Sequence, residues 1–161
     1  MKSLFDIETV PVVSERAIEY GITVKSRSPL FKVSSRIVSS SAAAKYFVPL
    51  FGEEIIFKES FFIAFVDRGN KIIGWSRISS GGRAATVVDV AIIAKLALDT
   101  LCSGVFLCHN HPSGTLRPSP QDDTLTKSIA EALKLFDIRV LDHIILTPSA
   151  DYYSYNDEGR L

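Results

Sequence analysis

The run Val105-Phe106-Leu107-Cys108-His109-Asn110-His111-Pro112-Ser113-Gly114, followed after a short loop by Ser119-Pro120-Gln121-Asp122, decides how the chain is read. Four apolar residues ahead of the histidines predict a strand buried on both faces. Side chains alternate along a strand, so His109 and His111 leave it on the same side. Pro112 cannot donate to a sheet ladder and Ser113-Gly114 is turn chemistry, so the strand is expected to stop there. The two imidazoles then sit at the carboxyl end of a strand, where open α/β sheets place their ligands. A metal would need at least one more ligand, and Asp122 offers it.

Asp122 also has a purely local explanation. Ser119-Pro120-Gln121-Asp122 reads as a helix start, with Ser119 at the N-cap, Pro120 at the first helical position and Asp122 at N3. A capping box or the helix dipole favours an acid at N3 in any case. The two readings are compatible, because one helix terminus can be capped and still aim a carboxylate at a metal.

At 161 residues the chain is long enough to bury a proper core within one domain. Its 47% hydrophobic and 22% charged residues are those of an ordinary globular protein. Lys plus Arg and Asp plus Glu both number 18, so the usual electrostatic footprint of a nucleic-acid binder is missing. Cys102 and Cys108 fall in a helical stretch and a buried strand. That is no disulfide framework, and a reducing cytoplasm is the expected compartment. No run reaches transmembrane length, and Met1-Lys2-Ser3-Leu4-Phe5-Asp6 lacks the apolar core of a signal peptide.

Residues 1–34 give weak signals beyond an alternating stretch at Ala17 to Lys25, and are expected to form an extension packed on or near the sheet. The remainder, 35–161, reads as the domain proper. Ser39-Ser40-Ser41 offers N-caps for a helix from Ala42 to about Phe51, with Gly52 as its stop and Pro49 disturbing its last turn. Phe61 to Val66 and Lys71 to Ile78, joined by Asp67-Arg68-Gly69-Asn70, predict a β-hairpin. Ser79-Ser80-Gly81-Gly82 reads as a flexible link. Thr86-Val87-Val88-Asp89 reads as a capping box opening a helix to about Ser103, with Gly104 as its stop. After the histidine strand comes a helix from Pro120 to about Phe136, burying Leu125, Ile129, Leu133 and Phe136. Asp142 to Leu146 is expected as a central strand and Tyr152 to Tyr155 as an edge strand. Trp75 is expected to pack in the core. The whole predicts an α/β fold, a small sheet with helices packed on it.

Two imidazole nitrogens and one carboxylate oxygen suit zinc, and three protein ligands leave the fourth position free, as in catalytic sites. Cys108 cannot close the set, because alternation points it away from both imidazoles. Amide hydrolysis further requires a proton shuttle and a donor for the developing oxyanion, for which Ser119 is placed beside Asp122. Spacing alone leaves the base open among Glu53, Glu54, Glu59, Asp89 and Asp123. A lone histidine such as His143 is read as structural, with a role in orienting a ligand as the alternative.

The pattern His109-x-His111, seven residues, Ser119, two residues, Asp122 resembles the JAMM signature of JAB/MPN-domain zinc metallopeptidases. His109-Asn110-His111-Pro112-Ser113-Gly114, with Pro118-Ser119 and Leu141-Asp142-His143-Ile144-Ile145, resembles the RadC-type branch over roughly residues 57–161, more loosely back to Ile37. The resemblance implies a JAB/MPN-like (cytidine-deaminase-like) mixed sheet, with Zn2+ held by His109, His111 and Asp122 and Ser119 stabilising the oxyanion. It also implies a glutamate at the head of the strand opening the hairpin, which Glu59 matches as general acid/base. The expected activity is cleavage of a peptide or isopeptide bond in a protein or peptide substrate, away from membranes. The competing expectation is a non-catalytic JAB module, or a DNA-repair-associated accessory protein, that binds a partner or DNA. The N-terminal residues do not resemble the helical DNA-binding-like segment of long RadC-type proteins.

Overall fold

Ser39 opens the first helix as its sequence suggests: its hydroxyl accepts from Ala42 N–H at 3.1 Å, and α1 (Ser40–Phe51) runs to Gly52, whose φ of 56° suits glycine. The computed structural model describes residues 36–81 and 88–161. The strand expected at 17–25, the 1–34 extension and the Thr86 cap lie outside those residues. Pro49 sits within α1 without ending it, and irregularity begins only at the 3-10 turn Gly52–Ile56.

The hairpin forms from β1 (Ser60–Val66) and β2 (Ile72–Ser80). Asp67 Oδ1 accepts from Gly69 and Lys71 N–H, and Asn70 takes the left-handed conformation the turn needs. Ser79 and Ser80 belong to β2, paired with Phe61 and Ser60, rather than to a flexible link. Then follow α2 (Val90–Asp99), β3 (Gly104–Asn110), α3 (Pro120–Lys134), β4 (Arg139–Leu146) and β5 (Tyr152–Ser154). The sheet order is β2-β1-β3-β4-β5, with only β3 and β4 parallel. Their connection is α3, as parallel neighbours require a crossover.

Helices cover both faces, which is why every residue of β1 and β3 is buried. One core lies under α1 and holds Phe62, Val66, Phe106, Cys108, Ile144 and Leu146. The other lies under α2 and α3 and holds Phe61, Ile63, Phe65, Val105 and Leu107. Cys108 packs in the core under α1 as a neutral thiol, burial pushing its pKa well up.

Several expectations are corrected. The second helix starts after Asp89, whose side chain accepts from Ala91 N–H at 2.8 Å, and ends at Asp99 instead of near Ser103. Leu101 then adopts a φ of 51° and reverses the chain, and Gly104 opens β3 instead of closing a helix. A Cβ on Gly104 would stand 2.9 Å from Leu141 Cδ1, so glycine serves the β3–β4 contact there. Phe136 lies past the end of α3 and is exposed. Trp75 faces outward on the edge strand β2, its ring tilted against Phe62, and is 40% exposed. Tyr155, by contrast, is buried and stacks on His143.

Candidate metal centre

β3 ends at Asn110, and His111 N–H still bonds to Leu146 C=O at 2.8 Å, so both histidines project from one strand end. The turn His111-Pro112-Ser113-Gly114 is closed by Gly114 N–H on His111 C=O, with Gly114 at φ 79°. It returns the chain so that Thr115 C=O meets His111 Nδ1 at 2.7 Å. α3 begins with a full capping box: Ser119 Oγ accepts from Asp122 N–H, and Asp122 Oδ2 accepts from Ser119 N–H at 2.7 Å. The same carboxylate reaches the imidazoles. Asp122 Oδ1 lies 3.2 Å from His109 Nε2, and Oδ2 lies 3.6 Å from His111 Nε2. The cap reading of Asp122 is met, and the same carboxylate stands where it could hold a metal ion with the two histidines.

Hydrogen bonds on the far side of each ring fix its tautomer. Thr126 Oγ1 donates its single proton to Asp122 C=O at 2.6 Å, so it accepts from His143 Nδ1–H, also at 2.6 Å. Neutral His143 then accepts at Nε2 from His109 Nδ1–H, 2.8 Å away. His143 is fully buried, and burial together with the nearby His109 holds its pKa well below the usual value, so it stays neutral. His111 donates its Nδ1–H to the Thr115 carbonyl. Both Nε2 atoms are therefore lone-pair acceptors, and they face each other at 3.0 Å beside a carboxylate.

Three converging acceptors demand positive charge between them. The demand shows in the titration of the groups. Burial lowers the His111 pKa, but Asp122, the Thr115 carbonyl and Glu59 outweigh it and raise the net value. Burial raises the Asp122 carboxyl, yet His109, His111 and Ser119 draw it far below the usual carboxylate range. A tetrahedral ion with bonds of about 2.0–2.1 Å separates its donors by about 3.3 Å. The two Nε2 atoms stand 3.0 Å apart, and each has a different oxygen of the Asp122 carboxylate near it, Oδ1 at 3.2 Å from His109 and Oδ2 at 3.6 Å from His111. His109, His111 and Asp122 can hold a metal ion, their ligating atoms lying within 4.8 Å of one another.

Glu59 stands immediately before β1, half-buried, with Oε1 4.0 Å from His111 Nε2. Of the five acids that spacing left open, it is the one in the cleft beside the histidines. Asp123 instead accepts from Tyr155 O–H and Arg160 at the protein's C-terminal end, Glu54 pairs with Arg77, and Asp89 caps α2. An open cleft of ≈ 460 Å³ carries Phe57, Glu59, His111, Ser113, Arg117 and Ser119 on its walls. Sequence reasoning missed Thr126, Thr115 and Asn110. It read His143 as structural with ligand orientation as the alternative, and the 2.8 Å contact to His109 Nδ1 favours the alternative. Thr126 alone left a signal, at the i+4 position from Asp122 on one helix face.

A sheet sandwiched by helices, with a His-His-Asp constellation at the carboxyl end of its central strand, defines a JAB-type domain with a candidate metal site. Residues 37–160 match the RadC-like JAB domain, and the chain belongs to that family. It is 38% identical over 158 residues to a UPF0758 protein of Flavobacterium johnsoniae, covering 98% of this chain and 66% of that one. It is 31% identical over 153 residues to UPF0758 protein YfjY of Escherichia coli K12, covering 94% of this chain and 92% of that one. A UPF0758 protein of Porphyromonas gingivalis is 39% identical over 104 residues, of which the match spans 46% of its length. Several of these relatives are thus appreciably longer than the matched region. Among the described residues no helix is long and apolar enough to cross a membrane.

Proposed function

We propose that this domain is a zinc-dependent hydrolase of the JAMM type, cleaving a peptide or isopeptide bond, with His109, His111 and Asp122 as the protein ligands. The observation that carries this reading is the convergence of three lone-pair donors whose opposite sides are already engaged, by His143, Thr115 and the helix cap. Two nitrogens and a carboxylate oxygen form a zinc donor set, and three protein ligands are the number found in catalytic zinc sites. Zinc held there supplies Lewis acidity, bringing the pKa of a water to about 7 and polarising a carbonyl.

The chain's own residues carry the remaining work. Glu59, facing the cleft 4.0 Å from His111 Nε2, takes the proton of the attacking water and delivers it to the leaving amine. Ser119 Oγ–H points at Asp122 Oδ2, 2.6 Å away, and turns from it to the developing oxyanion. Asp122 Oδ2 keeps Ser119 N–H as a partner through that turn. The open cleft suits an extended segment of a polypeptide, so the partner is a protein or peptide substrate. Two buried free thiols fit a reducing cytoplasm, and the balanced charge offers a polyanion or an acidic membrane surface little purchase.

Protein purified without chelator is expected to carry about one zinc per chain. Glu59→Gln is expected to keep that zinc and lose turnover on a panel of peptides and ubiquitin-like conjugates. Failure to find stoichiometric zinc overturns the reading. Full turnover in Glu59→Gln moves the base to another residue.

A further inference from the structure

The carboxylate of Glu59 makes no hydrogen bond within the described structure, and its Oε1 stands 4.0 Å from His111 Nε2. Among the described residues nothing at its tip holds it in place, so the path of its backbone decides where the side chain starts. That backbone is gripped by one side chain. Asn110 is fully buried, and alternation turns it away from His109 and His111, toward the opposite face of the sheet. Its Oδ1 accepts from Ser60 N–H at 2.9 Å. Its Nδ2 donates to Lys58 C=O and to Ile55 C=O, both at 2.9 Å. Only this amide orientation satisfies all three partners. The bonds thus close on the residues immediately before and after Glu59. Across the sheet edge, Gly81 N–H bonds to Glu59 C=O at 3.0 Å.

We propose that Asn110 is the positioning residue for Glu59, tying the base to the strand end that carries the two histidine ligands. This rests on the assignment of Glu59 as proton shuttle. A single strand end then delivers ligands from one face and fixes the base from the other. The spacing between Glu59 and the metal centre survives small movements of the β1–β2 hairpin. Misplacement of a reacting group by about 1 Å costs on the order of 100-fold in rate, so a clamp of this kind acts on kcat.

The test uses the full zinc-loaded chain with Asn110→Ala and Asn110→Asp. The second variant keeps the acceptor for Ser60 N–H but turns an oxygen toward the Lys58 and Ile55 carbonyls in place of the two donations, so it separates loss of the donors from loss of the acceptor. Three results are expected of Asn110→Ala. Zinc stoichiometry is unchanged, amide hydrogen exchange at Ser60 rises by about 10-fold or more, and kcat falls about 10- to 100-fold while KM moves much less. Asn110→Asp is expected to lose at least as much kcat as Asn110→Ala, because its carboxylate repels the Lys58 and Ile55 carbonyls. In a Glu59→Gln background, Asn110→Ala is expected to add little further loss to the residual turnover, because the group it positions is already disabled. A merely structural role would produce the same fractional loss in both backgrounds, and that result overturns the proposal. Unchanged Ser60 exchange in Asn110→Ala overturns it without reference to any substrate. Wild-type turnover in Glu59→Gln refutes the assignment of the base. An inactive Glu59→Gln beside a fully active Asn110→Ala refutes the clamp alone.

Discussion

His143 Nε2 stands 2.8 Å from His109 Nδ1, so a residue 34 positions further along the chain dictates which nitrogen of His109 is free. The order runs inward from α3: the Thr126 hydroxyl is committed to Asp122 C=O, His143 is committed to Thr126, and His109 to His143.

His143→Ala should therefore weaken metal binding without touching a ligand. Loss of the partner behind a ligating imidazole typically costs 10–100-fold in affinity. Competition against a chromophoric chelator measures it. An affinity within about twofold of wild type would show that His109 does not depend on this partner.

Asp122 carries two duties that substitution can separate. Asp122→Asn keeps an oxygen for Ser119 N–H and loses the ionised ligand. Asp122→Ala loses both. Chelator-treated Asp122→Ala should be less stable than chelator-treated Asp122→Asn by about 1 kcal/mol, the usual value of a helix cap. Both should fail to retain zinc. Equal denaturation midpoints for the two metal-free variants would contradict the cap's contribution.

Metal-free protein should show an unusual pH dependence. The folded state raises the His111 pKa above 6.5, so that contribution is complete below about pH 6.5 and fades as the pH rises through the folded value. It lowers the Asp122 pKa below 3.8, so that contribution is complete above about pH 4 and fades as the pH falls through the folded value. These two contributions overlap between about pH 4 and 6.5, whereas His143, its pKa held well below 6.5, works the other way as the pH falls below about 6.5. The His111 contribution is therefore read as the Tm difference between wild type and His111→Ala, which should shrink between about pH 6 and 8. Zinc-loaded protein should gain Tm over the second interval, since protons and metal compete for the same lone pairs. Calorimetry with and without chelator distinguishes the two trends.

Gly104→Ala tests the packing at the far end of β3. Its methyl would meet Leu141 Cδ1 at 2.9 Å, Leu141 Cγ at 3.1 Å and Arg139 C=O at 3.3 Å. Overpacking of this kind costs about 1–3 kcal/mol, read from urea denaturation, while zinc content should not change.

The sequence made much of the site legible because its parts obey local rules. Alternation put His109 and His111 on one side, and the cap pattern put Asp122 at the start of α3. Glu59 was placed only by family resemblance, since it stands just ahead of β1, some fifty residues before the histidines. Asn110, Thr126 and His143 were harder still. Their roles come from partners on other elements, such as Ile55 and Lys58 for Asn110, and beyond the i+4 placement of Thr126 from Asp122 no periodicity marks them. Gly104 shows how a correct rule can mislead: glycine often stops a helix, but here Leu101 makes the reversal and Gly104 admits Leu141. Trp75 was misread because β2 is an edge strand, and strand order cannot be read from a β-rich segment alone.

The capping box at the head of α3 has a consequence for how an ion arrives. Because Ser119 N–H already anchors the Asp122 carboxylate, and Thr115 and His143 already orient the two rings, the receptor is assembled before it is filled. Loading should then resemble a plug entering a finished socket, with its rate set by stripping water from the ion. Removing the ion should leave the scaffold standing, unlike the small zinc modules whose fold collapses when the metal is withdrawn.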